Sequence, residues 1–199
     1  MPPRFFLQLG AAALLLAAAS AQAHSDQVTT GGLLAGYLHP LTGLDHLLAM
    51  VAVGIWGATL GRPLIWALPV TFPLLMVVGG MLGIAGVPMP YIETGIGLSV
   101  VVLGLAILAA WRAPVAIAMA IVAVFGVLHG HAHGTELPGS AAPAAYAAGF
   151  VISTGLLHLA GVAIGALRGL QGGPMLLRVA GGLIAAIGVW ILIGMPGAG

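Results

Sequence analysis

The sequence predicts an all-α, polytopic membrane protein: about six transmembrane helices follow a cleaved signal peptide, and the first helix is broken at Pro40. Three observations carry that reading. Hydrophobic residues make up 61% of the 199-residue chain and charged residues only 5%, where a soluble domain carries about 25% charge. The mean hydropathy is +1.18, so there is too little polar surface to coat a water-soluble globule. Apolar stretches of about 20 residues, the length needed to cross a hydrocarbon core, recur between short links rich in Gly and Pro. The domain organisation expected is a signal peptide over residues 1–23 and one six-helix transmembrane domain over 24–199.

In chain order, Arg4 supplies a positive n-region. Leu7 to Ala19 forms an apolar core too short to span, and Ala21-Gln22-Ala23 reads as a cleavage site. Cleavage makes His24 the new N-terminus, two residues before Asp26, and a role for it in metal capture is left open. Gly31 to Leu60 is too long for one straight span, since about 30 residues make a helix of roughly 45 Å. Pro40 and Gly43 break it. The second half restarts with Thr42 as N-cap and Asp45 at the third position, a capping box. The remaining spans are Pro63 to Gly86, Tyr91 to Trp111, Pro114 to His133, Ala144 to Leu167 and Met175 to Gly194.

With a secreted N-terminus, alternate links face the cytoplasm and carry Arg62, Arg112, Arg168 and Arg178. The opposite links carry Glu136 and the region of Glu93. That distribution obeys the positive-inside rule and places both mature termini in the periplasm. Gly126, Gly130 and Gly134, then Gly161, Gly165 and Gly169, form four-residue stripes that read as close-packing helix faces. Thr42 to Leu47 echoes Thr154 to Leu159. If the echo is a repeat, His46 and His158 lie at similar depth.

Candidate chemistry is concentrated in two stretches. His39, Asp45 and His46 flank the helix break, and ionisable groups at membrane depth are rare and costly. The structural alternatives are a helix cap for Asp45 and a carbonyl-bonded core imidazole for His46. His129, His131, His133 and Glu136 form the second stretch. His129 and His133 are four apart and share a helix face, while His131 points away. The alternative is a polar helix end snorkelling to the interface, strongest for His131 and His133. His158 stands alone in the fifth span, balanced between ligand and interhelical hydrogen-bond partner. Glu93 is either a mouth carboxylate or an interfacial charge.

Imidazoles with few carboxylates and no thiolate suit nickel, cobalt, zinc or copper(II) better than magnesium or calcium. The absence of cysteine excludes disulfides and cysteine nucleophiles. Scattered arginines do not suggest nucleic acid, and no Walker motif is present. Gly97-Leu98-Ser99-Val100-Val101 lacks the second glycine of a serine-hydrolase elbow.

His39 to Ala58, H-P-L-T-G-L-D-H-L-L-A-M-V-A-V-G-I-W-G-A, closely resembles the HupE/UreJ family of nickel/cobalt permeases. Phe125 to Glu136, F-G-V-L-H-G-H-A-H-G-T-E, is similar to that family's second motif. The resemblance extends over essentially the whole chain. It implies a bacterial inner-membrane permease, not an enzyme, that takes up nickel or cobalt as substrate and holds no cofactor. It further implies an indirect link to hydrogenase or urease maturation. It makes His39, Asp45, His46, His129 and His133 the metal-handling residues, with Glu93 and His158 less specific. In the path expected, His131, His133 and Glu136 form a capture mouth ahead of an inner site of His39, Asp45, His46 and His129. The partners expected are the divalent ion and the lipid bilayer, with a homo-oligomer left open. The competing readings are a haem or di-iron membrane metalloprotein and a metal-binding accessory protein that does not transport.

Overall fold

The computed structural model describes residues 32–136 and 143–194. The expected signal peptide, His24 and Asp26 lie outside them. The described residues form seven α-helices: α1 (Gly32–Thr42), α2 (Leu44–Leu60), α3 (Leu64–Ile84), α4 (Ile92–Leu108), α5 (Val115–Thr135), α6 (Pro143–Gly165) and α7 (Gly173–Gly194). A 3₁₀ turn, Ala166–Gly169, extends α6, and no strand is present among the described residues.

Helices α3, α5 and α7, together with the α6 stretch Ala144–Gly169, are each long and apolar enough to cross a bilayer. Helices α1 and α2 qualify only together, as one span bent by 82°. Length and composition therefore support four to five spans. The expected span from Tyr91 to Trp111 is apolar but holds 17 helical residues, roughly 25 Å against a core of about 30 Å.

Helix α2 sits at the centre. Ala49, Met50, Val53, Ile55 and Trp56 on it are almost wholly buried, and α3, α4 and α6 pack around it. The other close pairs are α3 with α5, α4 with α7, and α1 with α6. In a bilayer, lipid is as apolar as leucine, so packing rather than water exclusion holds helices together. The first glycine stripe shows how. A Cβ on Gly126 would stand 2.7 Å from the carbonyl oxygen of Phe72, and Cβ atoms on Gly130 and Gly134 would collide with the carbonyls of Met76 and Gly80. The second stripe serves α2–α6 packing at Gly161 and Gly165 but not at Gly169, whose Cβ position is open.

The break lies at Gly43. Its backbone is extended, φ −92° and ψ 117°, between two helices. Pro40 is buried inside the last turn of α1. The expected capping box does not form: Thr42 closes α1, its hydroxyl donating to the carbonyl of His39 at 2.8 Å. Gly43 caps α2 without a side-chain bond. Asp45 Oδ1 still serves the first turn, accepting from the His46 backbone N–H at 2.7 Å while it also faces the His46 ring at 2.7 Å.

Candidate metal centre

The bend at Gly43 is what assembles the site. In a straight helix His39 and His46 would stand seven residues, or roughly 10 Å, apart along one face. Bent by 82°, the chain brings their ring centroids to 6.5 Å. A Cβ on residue 43 would sit 3.0 Å from both Asp45 Oδ1 and His46 Nδ1, so glycine leaves that pair room to form.

Helix α5 brings His129 and His133 against the bend. His133 lies between the two first-motif histidines, its centroid 4.8 Å from His39 and 4.5 Å from His46. His129 follows one turn deeper, 4.9 Å from His46. At the outer edge His39 Nε2 stands 3.6 Å from Glu136 Oε2. Ligand atoms of His39, His133 and Glu136 lie within 4.8 Å of one another. A cavity of about 120 Å³ runs beside His133, bordered by Met76, Tyr146 and Phe150.

Second partners fix the tautomers. His46 Nδ1 lies 2.7 Å from Asp45 Oδ1, and His129 Nδ1 lies 2.9 Å from the Phe125 carbonyl. His158 Nδ1 lies 3.1 Å from the Pro69 carbonyl. Carboxylates and carbonyls only accept, so each Nδ1 carries a hydrogen, and in the neutral ring Nε2 is left with the lone pair. All three Nε2 atoms are buried without a partner, as are both ring nitrogens of His133. Buried polar atoms in a folded protein are normally satisfied. A ring held at one nitrogen and free at the other is the usual state of a metal-ligating histidine.

The family model described as HupE / UreJ protein matches residues 12–191 of this chain. The chain belongs to the HupE/UreJ family. Protein HupE of Rhizobium leguminosarum bv. viciae is 44% identical over 163 residues, 82% of this chain and 85% of that protein. No solved structure matches.

Within this HupE/UreJ chain, the structure gathers His39, Asp45, His46, His129, His133 and Glu136. It regroups them relative to the sequence expectation. His133 is 5% exposed and sits between His39 and His46, with a ligand atom still within 4.8 Å of Glu136. His39, expected in the inner site, joins Glu136 at the rim. His131 leaves the cluster by position: its Nε2 donates to the Val87 carbonyl at 2.7 Å, tying α5 to the link after α3, and its buried Nδ1 is without a partner. Glu93 is exposed in the first turn of α4, within electrostatic reach of Glu136, His46 and Asp45.

His158 lies deeper than His46. Its carbonyl packs against Gly54, which is two turns, or about 12 Å, below His46 on α2. The echo between residues 42–47 and 154–159 therefore does not set the two histidines at one depth. Gly155 lies within continuous helix α6, whereas Gly43 is the break.

Sequence reading missed four buried residues. Phe72 stands between His129 and His158, 5.2 Å and 5.4 Å from their centroids. Tyr146 lies 5.9 Å from His39 and Phe150 4.1 Å from His133. The Tyr146 and Thr154 hydroxyls are buried and unpartnered. One signal was available: Tyr146, Phe150, Thr154 and His158 recur every four residues, so they share one face of α6.

Proposed function

We propose that the protein is an inner-membrane permease that takes up a divalent transition metal, nickel or cobalt, as its substrate. The observation that carries this is the run of imidazoles with free, pre-oriented lone pairs inside an apolar bundle. Glu136 and His39 meet the ion at the rim. His133 and His46 replace its water, and His129 receives it one turn deeper. Past Phe72, His158 offers the next lone pair, and the buried, unpartnered Thr154 hydroxyl stands one helical turn before it on α6. Imidazole nitrogens and a few carboxylates match the ligand preferences of nickel and cobalt. Spreading the ligands along a column, instead of closing them round one ion, suits binding weak enough to release. The arginine distribution supports both termini facing the periplasm. Membership of the HupE/UreJ family supports the expected indirect link to hydrogenase or urease maturation.

The test is uptake of radiolabelled nickel by cells with and without the protein, with cobalt, zinc and copper as competitors. Uptake that depends on the protein, and that cobalt competes away before zinc or copper, is expected. Metal bound by the purified protein with no protein-dependent uptake would point to an accessory protein instead.

A further inference from the structure

At the bundle end opposite the histidines, a second cavity of about 500 Å³ is lined by Thr59, Trp111, Arg112, Arg168, Leu177 and Arg178. Two of its arginines are held in place. Arg168 Nη1 donates to the Thr59 carbonyl at 3.0 Å, and Arg178 Nε donates to the Leu108 carbonyl at 2.8 Å. Each bond uses one of five guanidinium donors. Cation capping of the α2 and α4 C-termini accounts for those two bonds. It does not account for Arg112, nor for the open cavity that the three exposed side chains border.

Charge sharpens the point. The carboxylates among the described residues are Asp45, Glu93 and Glu136, all at the histidine end. Three guanidiniums thus share one cavity with no acid at their end. The first turn of α7, through Pro174, also borders the space, adding the positive end of a 22-residue helix. The wall is rigid: Trp111 stacks on Trp56 at 5.8 Å, and the Trp56 indole donates to the Trp111 carbonyl. Away from the arginines runs an exposed apolar flank of Leu105, Leu108, Val179 and Leu183, between 36% and 62% exposed.

We propose that this cavity binds the phosphate of an anionic phospholipid, with the acyl chains lying along the α4–α7 flank. Guanidiniums match phosphate oxygens bidentately, and basic pockets between membrane helices take lipid head groups. A free phosphate would satisfy the arginines as well, so the added phosphate arm of the test separates the two; the flank beside the arginines is membrane-facing surface along which acyl chains can lie. The site is independent of which metal the histidines handle.

The test compares thermal unfolding of the purified protein with phosphatidylglycerol, phosphatidylcholine or inorganic phosphate added. Phosphatidylglycerol is expected to raise the Tm of the wild type by about 3–6 °C, and the other two additives to leave it unchanged. The triple variant Arg112→Gln, Arg168→Gln, Arg178→Gln should lose at least half of that shift. Arg62→Gln, which removes a charge from the same end outside the cavity, should keep it. Should the triple variant not fold, Arg112→Gln alone, free of any capping bond given above, must still reduce the shift. An undiminished shift in these variants, or an equal shift with phosphatidylcholine or inorganic phosphate, would overturn the proposal.

Discussion

Pro73 leaves the carbonyl of Pro69 without a helix donor, and His158 of a neighbouring helix donates to that carbonyl at 3.1 Å. In an unbroken helix the N–H of residue 73 would bond the carbonyl of residue 69, but proline has none and its ring tilts that carbonyl outward. The same bond settles which nitrogen of His158 is free. A proline on α3 thereby fixes the tautomer of a histidine on α6.

Pro73→Ala should separate stability from activity. The restored N–H draws the Pro69 carbonyl back along α3, and the His158 bond lengthens. The helix gains up to about 3 kcal/mol of local propensity. Nickel uptake should nevertheless fall, and ¹⁵N NMR of labelled histidine should show His158 in mixed tautomers. An unaltered tautomer with full uptake would remove the role given to Pro73.

Asp45→Asn keeps the shape at the start of α2 and removes the charge that His46 donates to. Partners that orient a ligating histidine typically contribute about 10- to 100-fold in metal affinity or activity. Nickel uptake should drop by that order while membrane insertion, measured by quantitative blotting, stays normal. Wild-type uptake in a normally inserted variant would exclude the first motif from the path.

His131 and His133 are two residues apart and should behave oppositely. His133 has no protein partner at either ring nitrogen and sits among His39, His46 and Phe150. His133→Ala should abolish uptake. His131→Ala deletes one hydrogen bond to the Val87 carbonyl, worth about 1 kcal/mol. It should lower the Tm by a few degrees and leave the nickel KM unchanged. Equal loss of maximal uptake in both variants would contradict this division.

The expected orientation is open to labelling, because the chain has no native cysteine. Tyr91, 82% exposed at the histidine end, and Arg62, at the arginine end, are suitable positions. Tyr91→Cys should react with an impermeant maleimide in intact cells. Arg62→Cys should react only after the membrane is opened. The reverse pattern would invert the direction of the metal path.

By itself the sequence determined the class of the protein and the inventory of its chemistry. Five per cent charge and continuous apolar runs of about 20 residues point to a helical membrane bundle, because a backbone in lipid must be internally bonded and a barrel strand would be shorter and alternate apolar with polar residues. The same apolarity made the histidines conspicuous and marked both motifs. Apart from Gly169, which lies in the 3₁₀ turn and packs on nothing, the glycine stripes were legible as packing faces, since four-residue spacing places them on one side of a helix. Tertiary structure alone decided how those residues group. Whether His133 or His39 faces the rim depends on the bend at Gly43 and on the docking of α5 against it, neither of which has a one-dimensional period. The partners that free each lone pair are carbonyls or carboxylates set by backbone path and packing. Phe72 and Tyr146 looked like ordinary apolar positions in the sequence, and only their placement against the rings of His129 and His39 sets them in the column.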